Sequence, residues 1–206
     1  MPEDEDMLIP VPGIDNLTYE DANILLRFQR LWIELILWMR NFFHSALENL
    51  PDLATVTARV FQQMPQDFFN EFSKYFGPEE SQRFLNLFSR LVAINWQLVN
   101  AYKENNQAAI DESTVLWYRA ADEIADFLAG VNQYWDEDEI RTVLHKYIQL
   151  KIAEIIAFLN NDYDQELQIF NELEGLVTRM AASLAMGIIA RRPQRLEPPF
   201  QAQKRQ

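Results

Sequence analysis

The apolar residues of this chain recur at helical spacing, and the pattern itself recurs about every 56 residues. From Leu25 the run is Leu25, Phe28, Leu31, Trp32, Leu35, Ile36, Met39, Phe42, Phe43, Leu47, with the three- and four-residue steps of one helix face. Two successive shifts of that register bring together Leu31, Leu87 and Val143. They also align Trp32, Phe88 and Leu144; Leu35, Leu91 and Tyr147; Ile36, Val92 and Ile148; and Trp38, Ile94 and Leu150. Phe43 meets Val99 and Ile155, and Ala46 meets Tyr102 and Phe158. In the second half of each unit Phe61, Trp117 and Leu173 coincide, as do Phe68, Ile124 and Met180, and Phe72, Leu128 and Leu184. Each unit reads as a helical hairpin, and three of them restrict the chain far more than its composition does.

Helix signals agree with that division. The first helix starts near Asp21 and stops near Asn49, and Pro51 suits the first turn of the next. Pro65 removes a backbone donor, so a kink or break is expected in the second helix. Gly77-Pro78 is a stop and restart. Further helices are expected at 78–104, 107–129, 136–160 and 163–190. No segment alternates with period two, so no sheet is expected. The expectation is an all-α bundle of about six helices from three hairpins, at about 21–77, 78–133 and 134–190. The hairpins can close into a compact bundle or stack as a short solenoid. The first helix is apolar nearly all round, which favours closure around it and also suits half of a homodimer interface. An acidic segment (1–20) and a basic Pro/Gln tail (191–206) are expected to be disordered.

Composition excludes much chemistry. The chain has no Cys, two His and five Gly, so disulfides, thiolate metal sites and a three-histidine zinc site within one chain are ruled out. No phosphate-cradling glycine motif occurs. The formal net charge is −13, which disfavours nucleic acid. Residues 1–6 carry −4 and residues 191–206 carry +4, so the charge of the body is the charge of the whole. The N-terminus MPEDED lacks a basic leader region, and the stretch read as most apolar, Leu31 to Phe43, is too short and too charged to span a bilayer. No membrane segment and a cytoplasmic location are therefore expected.

Several stretches carry a resemblance: LWIELILWMR (31–40), LPDLATVTARV (50–60), PQDFFNEFSKYFG (65–77), LVNAYKENN (98–106), WYRAADEIADFLAGVNQYW (117–135), and NDYDQELQIFNELE with GII (161–174, 187–189). In these the chain resembles an uncharacterised family of small bacterial helical-bundle proteins, found mainly in spore-forming Gram-positive bacteria. The resemblance implies a repeated-hairpin bundle, ferritin-like or hemerythrin-like in general character. It further implies an acidic residue followed by His in the first helix of each hairpin, where a metal would bind. Here those pairs read Glu34-Leu35, Arg90-Leu91 and Lys146-Tyr147, so all three histidines are replaced.

Glu34 lies within the apolar stretch Leu31–Met39, and a buried carboxylate must pair or be neutralised. One expectation is a buried ionic cluster of Glu34, Arg90 and Lys146, joined by the second-helix equivalents Asp67, Glu123 and Arg179. The plainer alternative is a Glu34 that reaches solvent or faces a subunit partner. Glu34, with the i,i+4 pair Asp122/Asp126, is also a candidate set of carboxylate metal ligands. Asp162, Asp164 and Glu166, like 136–139, suit helix starts. His44 and His145 are single residues with no catalytic context, and no serine sits in a nucleophile elbow. The five Trp and fourteen Phe read as core, or as the walls of an apolar pocket. No catalytic residue and no cofactor is assigned. The leading functional expectation is a non-enzymatic binding or interaction protein that has lost the metal ligands of its relatives. The alternatives are a carboxylate-based metal protein and a small apolar-ligand sensor.

Overall fold

A computed structural model of the protein describes residues 17–192, so most of the disorder expected for 1–20 and 191–206 lies outside the described residues, while Tyr19 and Glu20 prove to open the first helix and Arg191 to close the last. The helices are α1 Tyr19–Leu47, α2 Leu53–Ala58, a π turn Arg59–Gln63, α3 Met64–Phe72, α4 Pro78–Lys103, α5 Gln107–Val131, α6 Glu137–Leu159 and α7 Tyr163–Arg191. The segment α2–π–α3 is one continuous rod, so the chain forms six rods in three hairpins. No strand occurs among the described residues.

The first helix of each hairpin ends at Leu47, Lys103 and Leu159, at matching repeat positions. Each end is followed by an asparagine at positive φ: Asn49 at 56°, Asn105 at 52° and Asn161 at 58°. The next backbone N–H then reaches back to the last turn, from Leu50 to Ser45, Asn106 to Ala101 and Asp162 to Ala157, each at 2.9 Å. This is the left-handed helix stop, for which Asn is the usual substitute for Gly, and it compensates for the scarcity of glycine. Polar residues start the helices that follow. Asn106, Asp136 and Asp162 accept from backbone N–H three residues on. Thr18 and Asp21 form a reciprocal capping box at α1, two residues before the start expected from sequence.

Pro65 neither breaks nor caps its rod. The preceding turn widens instead, and the Met64 N–H bonds to the Arg59 carbonyl. The π turn also resolves a phase difference. In α5 the buried positions are Ser113, Trp117, Ala120, Ala121 and Ile124, and in α7 Ile169, Leu173, Leu176, Val177 and Met180. In the first hairpin they are Val56, Val60, Met64, Pro65 and Phe68, with one extra residue between Val60 and Met64. Val60, not Phe61, is therefore the structural equivalent of Trp117 and Leu173, and the ungapped alignment slips by one there. The hairpin is one residue short between its turn and Val56, and the π turn restores the register.

Neighbouring rods pack in chain order, and α7 packs along α1, so the ring closes and the stacked alternative is excluded. Arg192 ties the two ends together, 2.8 Å from Asp21 and 2.6 Å from Glu20. α1 is one member of this ring and is not wrapped by the others: Leu26 and Leu37 on it are exposed. Between α5 and α6, Trp135 inserts against α7 and donates to the Leu184 carbonyl at 3.1 Å. Gly187 leaves the space that indole occupies. By length and composition α7 could cross a membrane, which the sequence expectation did not foresee. In the bundle 61% of its most apolar stretch is buried.

Candidate functional site

The first helices of the hairpins, α1, α4 and α6, send their inward faces into shared layers. Phe28, Phe84 and Ile140, then Trp32, Phe88 and Leu144, line a cavity of about 30 Å³ on the bundle interior, to which all six rods contribute. Leu35, Leu91 and Tyr147 line a second void of about 10 Å³ further along. These are the positions at which the resemblance implies histidines. Three imidazoles there would face one point; in this chain two leucines and a phenol do.

The layers turn polar beyond that void. Met39 is equivalent to Asn95 and Lys151, and Phe42 to Leu98 and Glu154, and all six are buried. The Lys151 ammonium and the Glu154 carboxylate are 0% exposed and 2.5 Å apart, three residues along α6. The Lys151 Nζ also lies 5.1 Å from the Phe43 ring centre. Glu154 Oε1 makes no hydrogen bond and lies 3.8 Å from Arg40 Nε. Arg40 donates to Glu166 at 2.8 Å, and the His44 Nε2 lies 2.6 Å from the same Glu166 oxygen. The His44 ring stacks on Phe158 at 4.2 Å. The result is a chain of charges from a fully buried pair, through Arg40, to a half-exposed His44 at the end where the hairpins turn.

Electrostatics follow from this placement. Burial alone would raise the Glu166 carboxyl, but hydrogen bonds from Arg40 and His44 and their charges hold it below its ordinary value. Burial pushes the Tyr147 phenol well above its ordinary range, and the charge of Glu154 adds to the effect. A comparable group sits at the outer end of α1. There burial opposes ionisation of Glu71, but Lys74, Tyr75 and Arg27 outweigh it and lower its pKa.

The six residues of the expected ionic cluster do not converge. Glu34 pairs with Arg30 at 3.2 Å and with Arg59 at 2.9 Å, and Arg59 also holds Asp67 at 2.6 Å. Arg90 pairs with Glu123 across α4 and α5, and Lys146 pairs with Glu172 at 2.9 Å across α6 and α7. Arg179 is half-buried and belongs to none of these pairs. Positions 34, 90 and 146 thus bridge the two helices of their own hairpin, one helical step away from the inward face of 35, 91 and 147. The side chains of Glu34, Arg90 and Lys146 are 31%, 49% and 47% exposed, so the expected deep burial is corrected to partly exposed ion pairs between the helices of each hairpin.

The candidate metal ligands fare no better. Asp122 is engaged by His145 at 2.7 Å and by Arg141 at 3.4 Å, while Asp126 is exposed. No group of three or more His, Asp or Glu residues suited to a metal ion occurs among the described residues. Lys151, Glu154 and Asn95 were missed by the sequence reading, which followed the register at apolar positions and at Glu34 and Asp67 but not at Met39 and Phe42. The signal was present: one step further along the same register, Met39 and Phe42 become Lys151 and Glu154.

No family model, no curated protein and no solved structure matches the chain.

Proposed function

We propose that the protein is a non-enzymatic binding or interaction protein that works from its outer surface. The observation that carries this reading is the commitment of its interior. The inward carboxylates Glu154 and Glu166 are held by Lys151, Arg40 and His44, and the two voids measure about 30 and 10 Å³. A bundle metal site needs carboxylates free to ligate, and a drug-sized ligand needs roughly 300 Å³ or more. On the outside, α1 presents Leu26 and Leu37, with half-buried Ile33 between them on the same face. A partner protein or a second copy of the chain would meet that stripe.

Elemental analysis of protein purified without a histidine tag, with native mass spectrometry, tests the reading. Far less than one metal ion per chain and no retained apolar molecule are expected. One equivalent of metal, lost in Glu34→Ala or Glu154→Ala, would establish the metal-binding alternative. A retained apolar molecule would establish the sensor alternative.

A further inference from the structure

The 10 Å³ void is bounded by Leu35, Met39, Leu91, Val92 and Leu144 and by three residues that carry hydrogen-bonding atoms: Trp32, Trp117 and Tyr147. The Trp32 Nε1, the Trp117 Nε1 and the Tyr147 hydroxyl are all buried, and none has a hydrogen-bond partner in the protein. Trp117 is 0% exposed, and Tyr147 is 3% exposed. Three such groups on the residues around one void are costly, since each buried donor without a partner forgoes the hydrogen bond that water gave it in the unfolded chain. They come from three different rods, α1, α5 and α6, so the fold itself brings them together. Trp32 also borders the larger cavity, but the other hydrogen-bonding side chain there, Trp135, already gives its N–H to the Leu184 carbonyl.

We propose that this void is a binding site for one water molecule, held by Trp32, Trp117 and Tyr147. An indole N–H can only donate, so the guest must offer two acceptor sites to the two tryptophans. Water has two lone pairs for them and a hydrogen for the phenol oxygen, giving the three bonds typical of buried water. The volume suits one molecule, since a void needs about 10–15 Å³ to hold one. A halide would also accept from the indoles, but it would put a bare charge among leucine side chains. The only buried cation on the axis-facing side of α6, Lys151, is already paired with Glu154. The larger apolar cavity stays dry by the same reasoning. The assignment does not depend on the proposed interaction role.

The test is water–proton cross-relaxation on the full-length protein with its tryptophans labelled with nitrogen-15. The Nε1–H signals are assigned in the parent protein itself, from the through-space contacts of each indole with its neighbouring side chains. Long-lived water cross-peaks are expected at both indole protons of the parent protein. The double variant Trp117→Phe/Tyr147→Phe removes two of three partners and should lose the cross-peak at Trp32. Absence of the cross-peak from either indole in the parent would overturn the proposal, and that result needs no variant to fold. A bromide anomalous peak at this position in crystals grown with bromide would overturn it in favour of an anion site.

Discussion

Lys151 and Glu154 place a complete ion pair where the first hairpin holds Met39 and Phe42. A buried pair seldom stabilises more than an apolar pair of the same shape, but half of one is expensive. Lys151→Met should therefore cost about 3–5 kcal/mol, while Lys151→Met/Glu154→Leu should return to near parental stability. Urea unfolding of the three proteins decides this, and a neutral single variant would contradict the buried pairing. Glu166 makes a separate prediction with pH. Its folded pKa is below the ordinary value of 4.5, so its contribution is full above about that pH and is lost as pH falls through the folded pKa. The stability advantage of the parent over Glu166→Gln should therefore be larger at pH 7 than at pH 3. An unchanged gap would contradict the lowered pKa. Residue-level chemistry was the least legible part of the sequence. Glu34 drew attention because its neighbours are apolar, yet one step of helix phase carries it off the axis to Arg59. Side-chain phase at that resolution depends on how the rods rotate when packed, which composition does not encode.

The helices themselves were largely legible, because period, prolines and acidic starts all act locally. Their stops rest on Asn49, Asn105 and Asn161, whose left-handed backbone disfavours a Cβ-bearing residue without a local polar partner. Replacing each by Ala should cost about 1 kcal/mol, and replacing it by Gly should cost nothing or stabilise. Thermal melts of the six variants check the two directions. The π turn was not legible, since only the phase of the buried residues reveals it. Deleting Gln62 alone should rotate α2 by about 100°, turning Val56 and Val60 out of the core at about 3–6 kcal/mol. Inserting one Ala after Pro51 together with that deletion should recover most of the loss, because the two changes restore the spacing found in the other hairpins. Denaturant midpoints of the single and double variants measure this compensation. Gly187→Ala has no such remedy: its methyl group would meet the Trp135 indole, so the melting temperature should fall clearly.

At the scale of the whole molecule, three hairpins with one turn design close into a ring whose interior is built in shared layers. The repeat was readable from sequence, since Leu35, Leu91 and Tyr147 line one void as their register implies. Closure was not, because both a ring and a stack satisfy the same helix faces. What separates them is long-range: the packing of α7 on α1 and the Arg192 bridge to Glu20 and Asp21. That closure is the central structural claim, and the filled, charge-paired interior behind the functional proposal depends on it. A circular permutant tests it most directly. The native ends are joined through their own tails and the chain is opened between Gly77 and Pro78, so the hairpin order becomes second, third, first. Urea unfolding of this permutant should be a single cooperative transition within about 2 kcal/mol of the parent, since loop-closure changes of that size are small. A permutant that is unfolded, or that loses one hairpin in a separate transition, would contradict the closed ring.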